Sequence, residues 1–173
     1  APDFEKESLK ILKNKKNLII LKINKSMLNK LELRSTIFGD LYQDLDSSII
    51  NEKFLELKSN HKNNKSIEKD LIFSLKVAKH LKSNSIALCK NQQTIGLGIG
   101  QTSRISALKI AIKNIKQNKS FVCASDGFFP FIDSLKLLKK FNCKAIAQPF
   151  GSINDKKIIE YANKNKISLY FIK

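Results

Sequence analysis

The sequence has 173 residues, a length that suits one domain or a compact part of a larger protein. It carries 32 basic and 15 acidic side chains, which gives a net charge of +17. Arg34 and Arg104 are the only arginines, and the lysines are scattered along the chain. We therefore interpret the positive charge as solvated surface rather than as a specific nucleic-acid site. There is no apolar run near the ~20 residues of a membrane span and no signal-peptide pattern, and three widely spaced cysteines without a CxxC predict free thiols in a reducing, cytoplasmic compartment.

The first 65 residues are predicted to form short, separate elements. Asp3 is placed to cap a helix that runs to about Lys15. Residues 17–23 are rich in Leu and Ile and predict a strand, and residues 31–42 predict extended segments broken near Gly39. Residues 51–65 are polar and predict a surface loop.

From Ser66 onward, helical and strand patterns alternate. Apolar residues at helical spacing predict a helix that begins at Ser66. Strands are predicted at 85–89, 94–98, 121–124, 145–147 and 167–171, and further helices at 102–117, 133–141 and 154–165. This alternation predicts an α/β fold, with α/β/α layers around a mixed sheet.

Residues 96–104, with the sequence GLGIGQTSR, link a predicted strand to a predicted helix. Glycines permit tight backbone paths, and a helix start offers free amide groups to an anion or a polar substrate. The segment matches neither a Walker loop nor GxGxxG. A glycine turn with Arg104 on the surface is an equally good interpretation of these residues alone.

Residues 125–133, with the sequence SDGFFPFID, follow a strand and precede a helix. The three phenylalanines are interpreted either as a core plug, with two rings buried, or as a wall for a flat heterocycle with Asp126 or Asp133 as its polar partner. Asn84, between a helix and a strand, is interpreted either as a helix cap or as a functional amide. His61 and His80 show no metal-ligand spacing, and the zinc deaminase signature is absent.

Taken together, the segments KVAKHLKSNS (76–85), IGLGIGQTSR (95–104), SDGFFPFID (125–133) and QPFGSI (148–153) resemble one family. In this order and spacing they are similar to the C-terminal part of the aminoimidazole-carboxamide ribonucleotide (AICAR) transformylase domain of the bifunctional purine biosynthesis enzymes. The resemblance covers nearly the whole chain, with residues 1–65 as a connecting region and 66–173 as a second half-domain. The cyclohydrolase domain of that family is absent from the chain.

The resemblance implies a fold like cytidine deaminase but without its metal, and transfer of a formyl group from 10-formyltetrahydrofolate to the amine of AICAR. It also implies a homodimer with active sites at the subunit interface. Asn84 matches a catalytic and substrate-binding position, Arg104 and Phe128 match substrate-binding positions, and the folate-side positions are Ile105, Asp133, Ser152 and Ile153. No metal, membrane or specific nucleic-acid partner is implied.

The chain also departs from the family pattern. It lacks the catalytic Lys-His pair that precedes an Asn-Pro-Cys-Gly-like stretch, because Lys79-His80 lies in the helix before Asn84, and it stops before an Arg-containing tail. Gly127 and Ile132 stand where the family has Ala and Arg. We therefore expect a fragment with about half a site that is inactive alone. The alternatives are a non-catalytic scaffold domain of the same fold and a basic nucleic-acid-binding domain.

Overall fold

The computed structural model describes residues 1–24, 31–115 and 120–172, which divide into two compact units, Ala1–Ile49 and Ile50–Lys173. The predicted boundary at 65/66 does not coincide with this division. Residues 50–64 belong to the second unit because they supply one of its strands and because the Asn63 side chain donates to the Lys144 carbonyl (2.9 Å) and the Ser168 hydroxyl (2.7 Å).

The first unit contains one helix and one hairpin. Helix α1 spans Lys6–Lys13, and strands β1 (Leu31–Thr36) and β2 (Gly39–Asp44) pair antiparallel around Ile37 and Phe38. This agrees with the predicted break near Gly39, which has a φ of +123° that favours glycine. None of the described side chains in this unit is buried.

Two predictions for the first unit are wrong. Asp3 does not cap α1, because its carboxylate accepts from the Phe4 amide and pairs with Lys22 at 2.9 Å, while the helix begins after Glu5 without a side-chain cap. Residues 17–23 do not form a strand. An apolar run becomes a strand only when another strand pairs with it, and the described backbone of this run forms no such ladder.

The second unit is built on a six-stranded mixed sheet. Its strands are β3 (Leu55–Leu57), β4 (Ile86–Lys90), β5 (Gln93–Gly98), β6 (Phe121–Ser125), β7 (Cys143–Pro149) and β8 (Ser168–Ile172). Their order is β3-β8-β7-β6-β4-β5. β6, β7 and β8 run parallel, whereas β4 is antiparallel to both of its neighbours and β3 is antiparallel to β8. The segment 51–65, predicted to be a surface loop, therefore contains a short edge strand, β3.

Helices cover both faces of this sheet, as predicted. Its four helices are α2 (Lys65–Lys79), α3 (Arg104–Ile112), α4 (Asp133–Lys140) and α5 (Asp155–Lys164). Leu71, Leu75 and Ala78 of α2 pack on one face of the strands, and buried residues of α3, α4 and α5 pack on the other. The result is an α/β/α layered fold. None of the helices in the described ranges is long and apolar enough to cross a membrane.

The direction of the strands brings several loops to one edge of the sheet. β5, β6 and β7 end at this edge with Gly98, Ser125 and Pro149, and β4 begins there, because Ile86 pairs with both Gly98 and Ser125. The segments that precede β4 and follow β5, β6 and β7 therefore lie together. These are the segments in which the sequence placed its candidate functional residues.

The opposite edge is stabilised by a buried carboxylate. Asp70 of α2 accepts hydrogen bonds from the amides of Asn91 (2.8 Å) and Gln92 (2.7 Å) in the β4–β5 turn, so both of its oxygens are used. Asn91 and Gln92 have φ values of 50° and 53°, a conformation in which their amides point to a common acceptor. Asp70 thus fixes this turn far from the candidate site.

Candidate functional site

Asn84 lies at the start of β4 and is joined to the glycine-rich segment. Its Nδ2 donates to the Gln101 carbonyl (2.9 Å), and the backbones of the two residues exchange hydrogen bonds of 3.2 Å. Helix α2 ends at Lys79 with His80 as its C-cap, so Asn84 does not cap that helix. The side chain is half-buried, and a carboxamide has a second Nδ2 hydrogen and an acceptor Oδ1 in addition to the group used in this hydrogen bond.

The glycine-rich segment has two structural parts. Gly96 and Gly98 lie in β5 under α3, and a Cβ at either position would overlap the backbone carbonyl of Ala111 or Ala107. Gly100 has a φ of +62° and makes the turn that leads to α3. The segment therefore brings α3 against the sheet so that its first residue, Arg104, reaches the site edge.

Arg104 is mostly enclosed, with 23% of its side chain exposed, so the interpretation of Arg104 as a surface residue is wrong. Its Nη2 lies 3.5 Å from Oδ1 of Asp126, whose side chain is 12% exposed. A Cβ at position 127 would overlap the guanidinium. Gly127 therefore leaves the space that the Arg104 guanidinium occupies.

The aromatic segment after β6 is divided between core and surface. Phe129 is fully buried, and its amide donates to Oε1 of Gln148 (3.3 Å). Phe128 is 38% exposed and Phe131 is 63% exposed, so one ring and not two lies in the core. The two exposed rings present apolar faces at the site edge, which suits contact with a flat ligand.

The positions predicted to contact a folate lie at or just before the starts of three helices. Ile105 and Asp133 line one cavity of about 400 Å³ between α3 and α4, together with Leu137 and the lysines at 109, 136 and 140. Asp133 is exposed, and its Oδ1 accepts from the Ser134 amide (2.7 Å), which leaves acceptor capacity on the carboxylate.

Ser152 and Ile153 lie in the loop between β7 and α5. Asp155 accepts hydrogen bonds from the amides of Gly151 (2.8 Å) and Ser152 (3.2 Å), and Ile153 is fully exposed. The Nδ2 of Asn154 donates to the Pro130 carbonyl (2.8 Å), which ties this loop to the aromatic segment. Asp155 and Asn154 were not among the predicted residues, although both are polar residues beside the predicted Ser152 and Ile153.

A second cavity of about 550 Å³ lies beside the aromatic segment. Its lining combines Phe131, Ile132 and Asn154 with Tyr161 and two lysines of α5. The described residues contain no group of three or more His, Cys, Asp or Glu side chains arranged to hold a metal ion. The edge thus offers amide, guanidinium, carboxylate and aromatic groups to a polar, flat ligand.

Comparisons with known proteins identify relatives of this sequence. The chain is 44% identical over 176 residues to the bifunctional purine biosynthesis protein PurH of Prochlorococcus marinus strain AS9601, covering 99% of the chain and 34% of that protein. It is 48% identical over 182 residues to PurH of Buchnera aphidicola subsp. Baizongia pistaciae (100% of the chain, 34% of that protein) and 41% identical over 171 residues to PurH of Petrotoga mobilis (99% and 33%).

The chain spans about a third of the length of these curated relatives. A family model described as "AICARFT/IMPCHase bienzyme" matches residues 1–114, well over half of the chain. The motifs at 125–133 and 148–153 lie beyond that match but within the part of the chain that the relatives cover. The relatives of the chain are bifunctional purine biosynthesis proteins, and the chain belongs to the AICARFT/IMPCHase bienzyme family.

Proposed function

We propose that the chain is the C-terminal part of the AICAR transformylase region and forms part of the site in which formyl passes from 10-formyltetrahydrofolate to AICAR. The observation that supports this most is the common sheet edge, where the loops and helix starts that carry all seven predicted site residues follow or precede neighbouring strands. A scaffold that binds no ligand would not require the enclosed Arg104, the exposed rings of Phe128 and Phe131, and the Asn84 carboxamide at one edge of the sheet. Family membership supports a role in purine biosynthesis.

The reaction requires that the two reactants are held in position and that the negative charge of the intermediate is stabilised. The AICAR amine attacks the formyl carbon, the bond from that carbon to the folate N10 breaks, and one proton leaves the amine while N10 gains one. The amine is a poor nucleophile because its lone pair is delocalised into the ring and carboxamide. A site must therefore hold the two reactants together and stabilise the oxyanion of the tetrahedral intermediate.

The nucleotide side is assigned to Asn84, Arg104 and Phe128. The Asn84 amide both donates and accepts, which suits a group that orients the amine or donates to the oxyanion. The enclosed Arg104 guanidinium offers its remaining N–H groups to a polar edge of the nucleotide. The exposed face of Phe128 offers a flat surface to the ring.

The folate side is assigned to Ile105, Asp133, Ser152 and Ile153. The residues present fit such a group: the exposed Asp133 carboxylate suits the hydrogen-bond donors of a pterin, and the apolar side chains of the same cavity, which three lysines also line, suit its flat ring. The Ser152 hydroxyl, which accepts from the Asn154 amide (3.1 Å) and keeps its own O–H to donate, and the exposed Ile153 side chain offer polar and apolar contacts to the same molecule. When bound, the folate supplies the formyl group.

We further propose that the complete protein works in the cytoplasm as a homodimer without a metal and contributes the remaining part of the site from outside this chain. The amount of the relatives that the chain leaves uncovered, about two thirds, supports the need for additional residues. General-base assistance of the kind the amine needs is commonly worth about 10²–10⁴-fold in rate.

A comparison of two variants of the complete protein tests the catalytic assignment. Asn84→Ala should lower kcat by about 10²–10³, the usual result of removing one oxyanion donor. Its melting temperature should change little, because the backbone pair between residues 84 and 101 remains. Turnover and melting temperature are measured on the same preparations.

His80→Gln is the matched control. His80 is an exposed cap residue at the end of α2 and imitates the family's catalytic histidine only in its neighbour, Lys79. Its turnover should stay within about threefold of the unsubstituted protein, as expected for a surface helix-end residue. Near-normal turnover of Asn84→Ala, or a hundredfold loss in His80→Gln, would contradict the assignment.

A further inference from the structure

Two carboxylates, neither of them among the seven positions that the resemblance implies, accept hydrogen bonds from the backbone beside those positions. The sequence alone offered Asp126 only as a possible direct partner of a ligand. Asp126 accepts from the amide of Ser85 (3.0 Å), the residue after Asn84, and lies 3.5 Å from the Arg104 guanidinium. Asp155 accepts from the amides of Gly151 (2.8 Å) and Ser152 (3.2 Å). Each carboxylate thus contacts one group of predicted ligand-binding residues.

The hydrogen bonds of these carboxylates differ from those of a purely structural carboxylate. Asp70 uses both oxygens on the β4–β5 turn, and both bonds serve stability. In the described part of the chain, Oδ2 of Asp126 and Oδ1 of Asp155 are buried without a hydrogen-bond partner. A buried unpaired oxygen is costly, so stability alone does not account for a carboxylate at either position.

We propose that Asp126 and Asp155 are positioning residues with separate tasks, Asp126 for the nucleotide side and Asp155 for the folate side. Asp126 fixes the peptide between Asn84 and Ser85 from one side and the Arg104 guanidinium from the other. Gly127 assists, because the absence of a Cβ leaves room for that guanidinium. This inference rests on the proposed function.

Asp155 acts on a different loop. By accepting two successive amides it fixes the turn at Gly151, whose φ is +112°, and so sets the direction of Ser152 and Ile153. The Asn154–Pro130 hydrogen bond joins this turn to the aromatic segment, whereas the hydrogen bonds that Asp155 accepts from other described residues come from the loop amides of Gly151 and Ser152. The two carboxylates should therefore affect different substrates.

The test measures KM for both substrates in Asp126→Ala, Asp155→Ala and Asp70→Ala variants of the complete protein. Asp126→Ala should raise KM for AICAR about tenfold or more, because small displacements of aligned groups cost at least that much. Asp155→Ala should raise KM for 10-formyltetrahydrofolate by a similar factor. Asp70→Ala, which also removes an acceptor of two backbone amides, should lower the melting temperature and leave both KM values unchanged.

Asparagine variants provide the rescue. Asp126→Asn and Asp155→Asn keep a carbonyl oxygen for the same amides, so each KM should return to within about threefold of the unsubstituted value. If Asp126→Ala does not fold, Asp126→Ser removes the carboxylate in its place with the same expected split. The inference would be overturned if Asp126→Ala or Asp155→Ala raised both KM values equally. It would also be overturned if Asp70→Ala raised one KM value selectively, as the other two variants are expected to do.

The two proposals fail in different ways. An unsubstituted complete protein that transfers no formyl group would contradict the proposed function, and dissociation constants for the two ligands then replace KM in the comparison. Active protein whose Asp126 and Asp155 variants lack the split contradicts only the positioning roles. Protein that neither transfers formyl nor binds either ligand contradicts both.

Discussion

At the residue scale, the three cysteines belong to the interior of the second unit. Cys89, Cys123 and Cys143 lie in β4, β6 and β7 and are free and buried, as the sequence predicted. Burial raises the pKa of the Cys89 thiol to about 11 and that of Cys143 to about 12, from an ordinary value of 9.0, and raises the pKa of Cys123 well above that value. These thiols are held as neutral core groups.

This makes the stability of the chain sensitive to alkaline pH. The folded state favours the protonated thiols, so their contribution is complete below the unfolded pKa near 9 and is lost as pH rises toward the folded values. By about pH 10 we expect each buried thiol to lower the free energy of unfolding by about 1 kcal/mol. Urea unfolding at pH 8 and 10 measures the effect.

Cys123→Ala is the control for the alkaline effect, because other groups also titrate in this range. The variant should lose less stability between the two pH values than the unsubstituted chain, since one ionising group is gone. The same loss in both proteins would show that the thiols do not cause it. Cys123 is suitable because it is completely enclosed in the central strand β6.

At the scale of elements, the close contact between β5 and α3 sets the position of Arg104. A Cβ on Gly98 would overlap the backbone carbonyl of Ala107, which cannot move without shifting the helix. We expect Gly98→Ala to destabilise the chain by about 1–3 kcal/mol or more, the usual cost of adding volume to a packed interior. Urea unfolding gives the free-energy difference.

Gln93→Ala, at an exposed position of the same strand, is the control for Gly98→Ala. It should change the free energy of unfolding by no more than about 0.5 kcal/mol. In the complete protein, Gly98→Ala should also raise KM for AICAR, because α3 carries Arg104 at its first turn. A stable Gly98→Ala protein would show that the helix accommodates the methyl group.

The elements that the sequence predicted correctly are those with strong local patterns. β4 to β8, α2, α4 and α5 lie at or near their predicted ranges, because apolar periodicity, turn residues and length agree in each. Helix α3 was predicted at 102–117 but ends at Ile112, and positions 116 and 117 of that prediction lie outside the described residues. β3 was missed because its three residues lie in a polar stretch and pair only with β8, far along the chain. Such pairing is tertiary and leaves little local pattern.

Part of the candidate site could also be predicted, because its residues lie in short local motifs. Motif resemblance predicted seven ligand-binding positions, and these residues lie on loops and helix starts at one edge of the sheet, whereas their roles stay a prediction. Asp126 and Asp155 as positioning residues required coordinates, because their role depends on the amides of Ser85, Gly151 and Ser152 rather than on a motif. The packing role of Gly96 and Gly98 also required coordinates, because it depends on the distance between β5 and α3.

At the scale of the whole molecule, the positive charge is unevenly distributed. Residues 50–173 carry 23 basic and 8 acidic side chains, whereas residues 1–49 carry 9 and 7. Almost all of the basic residues are lysines, which bind phosphates as point charges and do not read base edges as arginine forks do. We therefore expect any DNA binding to be weak and independent of sequence.

Salt dependence measures this expectation. Affinity for an unrelated duplex should fall by roughly a thousandfold or more between about 50 and 200 mM salt, because the binding energy comes from counterion release. Two duplexes of different sequence and equal length should bind alike in fluorescence anisotropy titrations. Tight, sequence-selective binding at physiological salt would favour the nucleic-acid alternative.

The chain matches only part of the length of its family relatives. It covers about a third of its relatives, and we propose that the general base and part of the ligand surface lie in the remainder. The 173-residue chain alone should therefore show no measurable formyl transfer, since loss of general-base assistance removes about 10²–10⁴-fold before any loss of binding is counted. The assay follows tetrahydrofolate release with both substrates present.

The complete protein, assayed at the same molar concentration, is the control for this experiment. A chain that is folded, as shown by cooperative urea unfolding, but inactive would agree with a divided site. Adding the missing region as a separate polypeptide should then restore transfer, because the sheet edge already presents its own half of the contacts. Robust turnover by the 173-residue chain would show that the described edge, with Asn84, Arg104 and Asp133, suffices for the chemistry.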